Sequence, residues 1–144
     1  MTEPKRFFVA LDGSPRSADV LAQAVALARC AAGKVRLFRA VPVQPEVPWD
    51  LVHQFPPGGR EALFEQYARA DLDAHAKSVP PELLDGVATA VGVPWRAICK
   101  AASDWGADLV VIGSHGYHGL DRVLGTTAVR VVEHAERSVL VVRA

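Results

Sequence analysis

Cysteine is scarce in this chain. Only Cys30 and Cys99 occur among 144 residues, far apart in sequence. Two thiols cannot staple a small secreted fold, and the absence of any Cys-x-x-Cys pair removes the signature of a redox or structural zinc site. Both are expected to be buried free thiols of a reducing cytoplasm. Net charge is missing as well: 16 Lys and Arg balance 16 Asp and Glu. A neutral chain has no overall pull toward nucleic acid or anionic membranes. No apolar run approaches the roughly 18 residues of a membrane span. The first such run, Phe7–Leu11, is too short for a signal-peptide core and meets Asp12-Gly13 at once. A soluble, cytoplasmic protein is expected. Internal repeats, low-complexity tracts and linkers are also lacking, so residues 1–144 read as one domain. Half the residues are hydrophobic, enough for a core and too many for disorder along the chain.

Phe7–Leu11 is continuously apolar, as suits a strand covered on both faces. Val20, Leu21, Ala24, Leu27, Ala28 and Ala31 then recur at helical spacing, with Ser17 as the candidate N-cap and Gly33 past the end. Val35–Val41 reads as a second strand. Residues 42–60 hold five of the ten prolines and form a long connection, of the kind that is often functional. Glu61–Ser78 is a helix whose apolar stripe includes Leu63, Phe64, Tyr67, Ala70, Leu72 and Ala76. Gly86–Val93 is a weaker strand, and Pro94 opens a helix that runs through Trp105 to Gly106. Trp95 and Trp105 are expected to pack in or beside the core. Leu109–Ile112 is the strongest buried-strand signal. Thr127–Ala135 forms the last helix, with Ala128, Val131, Val132 and Ala135 on one face, and Val139–Val142 the last strand. Strands alternating with helices call for an α/β domain, an open parallel sheet with helices on both faces.

Such sheets bind ligands beyond the carboxyl ends of their strands. Two strand ends carry unusual residues here. The first ends in Asp12-Gly13-Ser14. The fourth leads into Gly113-Ser-His-Gly116, Tyr-His-Gly119 and then Gly125-Thr-Thr127 at the start of the last helix. Glycines allow backbone N–H groups close to a ligand, and a helix start favours anions, phosphate above all. Thr126 and Thr127 add hydroxyl donors. The pattern is a phosphate or nucleotide cradle. It is not a P-loop, for no Gly-Lys-Ser/Thr is present, and not the dinucleotide fingerprint, which would follow the first strand. Asp12 is a candidate general base, metal ligand or Asx-turn residue. His115, His118 and Asp121 fall three apart, but the loop offers no thiol, and no metal site is assigned.

These residues resemble the universal stress protein family along nearly the whole chain. Val9-Ala-Leu-Asp-Gly-Ser14, Gly106-Ala-Asp-Leu-Val-Val-Ile-Gly-Ser-His-Gly116 and His134-Ala-Glu-Arg-Ser-Val-Leu-Val-Val-Arg143 carry the likeness. Its ATP-binding branch has Gly-x2-Gly-x9-Gly-Ser/Thr. Gly113-x2-Gly116 matches, and Gly125-Thr126 follows after eight residues instead of nine. The resemblance implies five strands in the order 3-2-1-4-5 and an ATP site between strands one and four. It implies that Asp12 lies on the adenine side and that Val41 meets adenine through its backbone. It further implies that Gly113, His115 and Gly116 line ribose and phosphates, and that Gly125, Thr126 and Thr127 hold the phosphates. ATP is expected with Mg²⁺, and a homodimer through the last strand, Ser138–Arg143.

Three functions follow. The leading one is an ATP-binding, stress-responsive regulatory protein with at most slow, incidental hydrolysis. A nucleotide-free interaction module of the same fold is the second. An ATP pyrophosphatase or nucleotidyl transferase is the third. Against it, the first loop lacks Ser-Gly-Gly-x-Asp-Ser and no early His-x-Gly-His is present.

Overall fold

Phe8 and Val9 are fully buried at the middle of the first strand, and the sheet is built outward from them. The computed structural model describes residues 5–43, 58–114 and 124–143. In chain order the elements are β1 (Arg6–Ala10), α1 (Ser17–Cys30), β2 (Lys34–Val41), α2 (Gly59–Ala76), β3 (Leu84–Val91), α3 (Pro94–Trp105), β4 (Leu109–Gly113), α4 (Thr126–His134) and β5 (Ser138–Val142). All strands pair in parallel in the order β3-β2-β1-β4-β5, as expected. β1 is therefore central, with Val9 opposite Leu37 on one side and Val111 on the other.

The pleat sends alternate side chains of β1 to opposite faces. Phe7 and Val9 pack with Val20, Leu21, Ala24 and Ala28 of α1 and Leu72 of α2. Phe8 and Ala10 pack with Phe38, with Ile98 and Ala102 of α3, and with Ala128 and Val131 of α4. The Phe8 and Phe38 rings lie 5.1 Å apart at 36°. A phenylalanine buried this completely contributes about 2–3 kcal/mol of apolar burial. Trp95 and Trp105 border the same cluster, as the sequence suggested. The Trp105 indole N–H donates to Asp85 at 3.0 Å, and Arg36 lies over its ring at 5.0 Å.

Several expectations need correction. Ser17 is the first helical residue and not a cap: Arg16 holds the cap position, and no side chain caps the helix. Leu27 and Ala31 are exposed, because the buried arc of α1 is only as wide as Val20, Leu21, Ala24 and Ala28. Cys30 is exposed too, and Cys99 is only partly buried. In α2 only Ala68 and Leu72 are buried, while Tyr67 is 61% exposed, so the predicted stripe reaches the core at Leu72 and not at Tyr67. Val132 likewise faces solvent. β3 begins two residues earlier than expected, since Gly86 (φ +82°) lies within the strand where the register to β2 shifts. A glycine inside a strand marks such an irregularity as readily as a strand end.

Helix ends are set by local backbone. Gly106 adopts φ +78°, and Ala107 N–H closes onto the Ala102 carbonyl at 2.9 Å, which stops α3 where predicted. At the end of α1 the left-handed residue is Ala32 (φ +50°), with Gly33 N–H bonded to Ala28 O at 2.8 Å. Among the described residues no helix is long and apolar enough to cross a membrane.

Candidate functional site

A cavity of about 450 Å³ opens beyond the carboxyl ends of β1, β2 and β4. That is within the usual range for small-molecule sites. Its floor is apolar: Ala10, Ala40, Ile98, Ile112 and Ala128 come from both strands and helices. Its polar groups come from the two strand ends that the sequence marks and from β2.

At the end of β1, Asp12 Oδ1 accepts the Ser14 N–H at 2.9 Å and the Ser17 hydroxyl at 3.4 Å. This is an Asx turn. It closes the strand, as the Asx-turn reading expects, and it places the carboxylate in the cavity wall. Ser14 Oγ accepts the Arg16 N–H at 3.3 Å, which makes it a turn hydroxyl.

At the end of β4, Gly113 and Ser114 line the cavity. Ser114 N–H donates to Val142 O at 2.9 Å, and its carbonyl accepts the Gly125 N–H at 2.7 Å. Those two bonds join β4 to β5 and to the start of α4. The Ser114 side chain is 1% exposed, and its hydroxyl has no hydrogen-bond partner among the described residues. Gly125 is extended at the cap of α4, which has no side-chain cap and no acidic residue in its first turn. Gly125, Thr126 and Thr127 all line the cavity.

Two other helix starts reach the same space. α3 begins with Pro94, which lacks an N–H, and α1 carries Asp19 in its first turn. α4, with neither a side-chain cap nor an acidic residue in its first turn, offers a positive end that draws an anion to the β4 side.

Five of the eight expected site residues, Asp12, Gly113, Gly125, Thr126 and Thr127, meet in this cavity. Val41 is not among the described lining residues. It is buried, its carbonyl accepts the Gly92 N–H at 2.9 Å, and its neighbours Ala40 and Pro42 line the wall instead. His115 and Gly116 lie outside the described residues, as do His118 and Asp121. Among the described residues no group of three or more metal-ligating side chains is found.

The sequence reading missed several polar members of the wall, among them Arg16, Ser114 and Arg39. Ser114 was visible only as a spacer between glycines. Arg39 was visible as a charge interrupting the apolar run of β2, and that interruption was its signal. Its Nη1 lies 3.2 Å from Asp71 Oδ2 of α2, and it lines the cavity beside Asp12.

The family model for universal stress proteins matches residues 3–143. The chain belongs to the universal stress protein family. Universal stress protein Sll1388 of Synechocystis is 35% identical over 152 aligned positions, covering 96% of this chain and 97% of that protein. UspA of Lactobacillus plantarum superposes with a TM-score of 0.77 at 23% identity, over 99% of this chain and 100% of that one. A universal stress protein solved in complex with cAMP gives 0.66 at 23% identity, over 99% and 98% of the two chains. One from Archaeoglobus fulgidus in complex with dAMP gives 0.62 at 18% identity, over 98% of each. At these identities the solved structures establish the shared universal stress protein fold.

Proposed function

We propose that this protein binds an adenine nucleotide, ATP carried with Mg²⁺, in the cavity above β1 and β4, and acts as a stress-responsive regulatory protein. The buried Ser114 hydroxyl carries the reading. Among the described residues that hydroxyl has no partner; a hydroxyl enclosed in this way is costly, and an incoming oxygen-rich ligand relieves that cost. It sits beside the uncapped start of α4, where the phosphates of ATP supply the negative charge that this helix end attracts. Thr126 and Thr127 hydroxyls and the first N–H groups of α4 hold those phosphates. Asp12 stands on the base side with Ala40 and Pro42, the two residues flanking Val41. By the resemblance to the family, Gly113, with His115 and Gly116 outside the described residues, completes the ribose and phosphate contacts. Mg²⁺ fits here as a phosphate-borne ion, since such an ion needs one protein carboxylate or none. Two family members solved with cAMP and dAMP are consistent with an adenine ligand.

Regulation, and not turnover, is the proposed role. Asp12 is the one carboxylate among the described lining residues, and it is engaged by Ser14 and Ser17. Turnover of Mg-ATP is expected far below the roughly 10 s⁻¹ typical of enzymes. The unpaired thiols Cys30 and Cys99 suit residence in a reducing cytoplasm. β5 ends the sheet, and a homodimer through Ser138–Arg143 would cover that edge.

Isothermal titration of nucleotide-stripped protein with Mg-ATP, with GTP as control, tests the reading. Micromolar binding of ATP alone is expected. No binding would leave an interaction module that keeps the fold without the ligand.

A further inference from the structure

We propose that Arg39 determines base recognition at this site, its guanidinium forming the flat wall against which the purine ring lies. The inference rests on the nucleotide reading above and adds a residue to it.

Arg39 sits near the end of β2, opposite Thr89 of β3 in the ladder, and its head group reaches over the first loop. A Cβ built on Gly13 would fall 2.6 Å from Cζ and Nη1 and 2.7 Å from Nη2. Near-equal distances to three atoms of one plane put that point over the face of the guanidinium and not beyond its edge. The cation therefore lies flat on the glycine, and Gly13, at φ +76°, is the residue type that admits it. Asp71 fixes the group from the α2 side through Nη1 at 3.2 Å. A planar cation that is three-quarters buried, held at one edge and backed on one face, is pre-organised.

Its position gives the ligand a direction. The cavity runs across the ends of β4, β1 and β2, which are consecutive in the sheet. Two strand spacings separate β4 from β2, about 10 Å. The anion-favouring start of α4 and Ser114 stand at the β4 end. A nucleotide with its phosphates there extends its base toward β2, where Ala40, Pro42 and Arg39 form the wall. Guanidinium planes stack on aromatic rings through charge and dispersion together, which a lysine ammonium does only as a point charge.

The test is titration of adenosine, AMP and Mg-ATP into nucleotide-stripped parent, Arg39→Ala and Arg39→Lys proteins, with thermal melts to confirm folding. Arg39→Ala is expected to weaken all three ligands by a similar factor, about tenfold. Arg39→Lys is expected to stay close to the alanine variant. Unchanged binding by Arg39→Ala would overturn the proposal. So would a loss confined to ATP, which would put the guanidinium on phosphate, or full recovery by lysine, which would make it a bare charge. A parent protein that binds none of the three ligands would instead overturn the nucleotide reading on which the proposal stands.

Discussion

The carbonyl oxygen of Ser114 accepts the Gly125 N–H at 2.7 Å, and this bond fastens the end of β4 to the cap of α4. The backbone of Ser114 is thus fully used, while its hydroxyl is enclosed and has no partner among the described residues. A residue with both properties is a structural anchor through its main chain and a ligand group through its side chain.

Ser114→Ala should separate these roles. The main-chain anchor survives, and the cost of the orphan hydroxyl disappears. The ligand-free protein is expected to gain about 1 kcal/mol, since an unsatisfied buried hydroxyl costs on the order of 1–3 kcal/mol. Nucleotide affinity is expected to fall at least about tenfold, because hydrogen bonds to charged groups are worth on the order of 1.5–3 kcal/mol. Thermal melts and titration of the same preparation read both signs. A variant that is less stable and binds as tightly as the parent would show that the hydroxyl serves the fold alone.

Ala32 offers a test of backbone strain. It holds φ +50° at the end of α1, a conformation that costs an L-residue about 1–2 kcal/mol. Glycine removes that cost but widens the unfolded ensemble by about 0.4–1 kcal/mol. Ala32→Gly is therefore expected to stabilise by about 0.5–1 kcal/mol, and its melting point should rise by a few degrees. The neighbouring Gly33→Ala should act oppositely, for a Cβ there would meet the Lys5 carbonyl oxygen at 2.6 Å.

Much of this molecule was legible because its strands are continuous apolar runs. Phe7–Leu11 and Val110–Ile112 are buried on both faces, and that alone places β1 and β4 inside the sheet. Helix faces were less legible. Leu27, Tyr67 and Val132 fit a helical apolar stripe, yet periodicity does not fix how wide an arc the sheet covers. α2 lies over β2 and β3, at the edge of the sheet, and buries only Ala68 and Leu72. In the site, glycines and hydroxyls at strand ends announced themselves. Arg39 and Asp71 did not, because their pairing joins residues 32 apart in the chain and exists only once α2 packs on β2. Val41 was one residue from each of the two positions that line the wall, a distinction made by the pleat.

The two thiols should react at different rates. Cys30 is exposed, while burial pushes the Cys99 thiol above its ordinary pKa. At a given pH near 8, Cys99 then carries less thiolate, the reactive form. Iodoacetamide followed by peptide mass analysis should find Cys30 modified first and Cys99 only slowly until denaturant is added. The same shift makes the contribution of Cys99 to stability full below the ordinary thiol range and lost as pH rises through its folded pKa. Equal labelling rates in native buffer would contradict the burial of Cys99.

The proposed dimer is best tested through backbone, because the side chains of β5 are already engaged. Val139 and Val141 pack on the Phe8 face and Leu140 on the Val9 face, so a charge at any of them would damage the core as well as an interface. Ser114 N–H bonds to the Val142 carbonyl, so the main chain of Val142 turns toward β4. Alternation then turns the N–H of Val141 outward, to the open edge. Val141→Pro removes that donor and leaves the ladder to β4 intact, an edge position of the kind at which a sheet tolerates proline. A two-fold interface feels the loss twice, at about 1 kcal/mol for each hydrogen bond. Self-association is expected to weaken at least about tenfold while circular dichroism stays native. A natively folded Val141→Pro protein that sediments as the same dimer as its parent would move the interface away from the last strand.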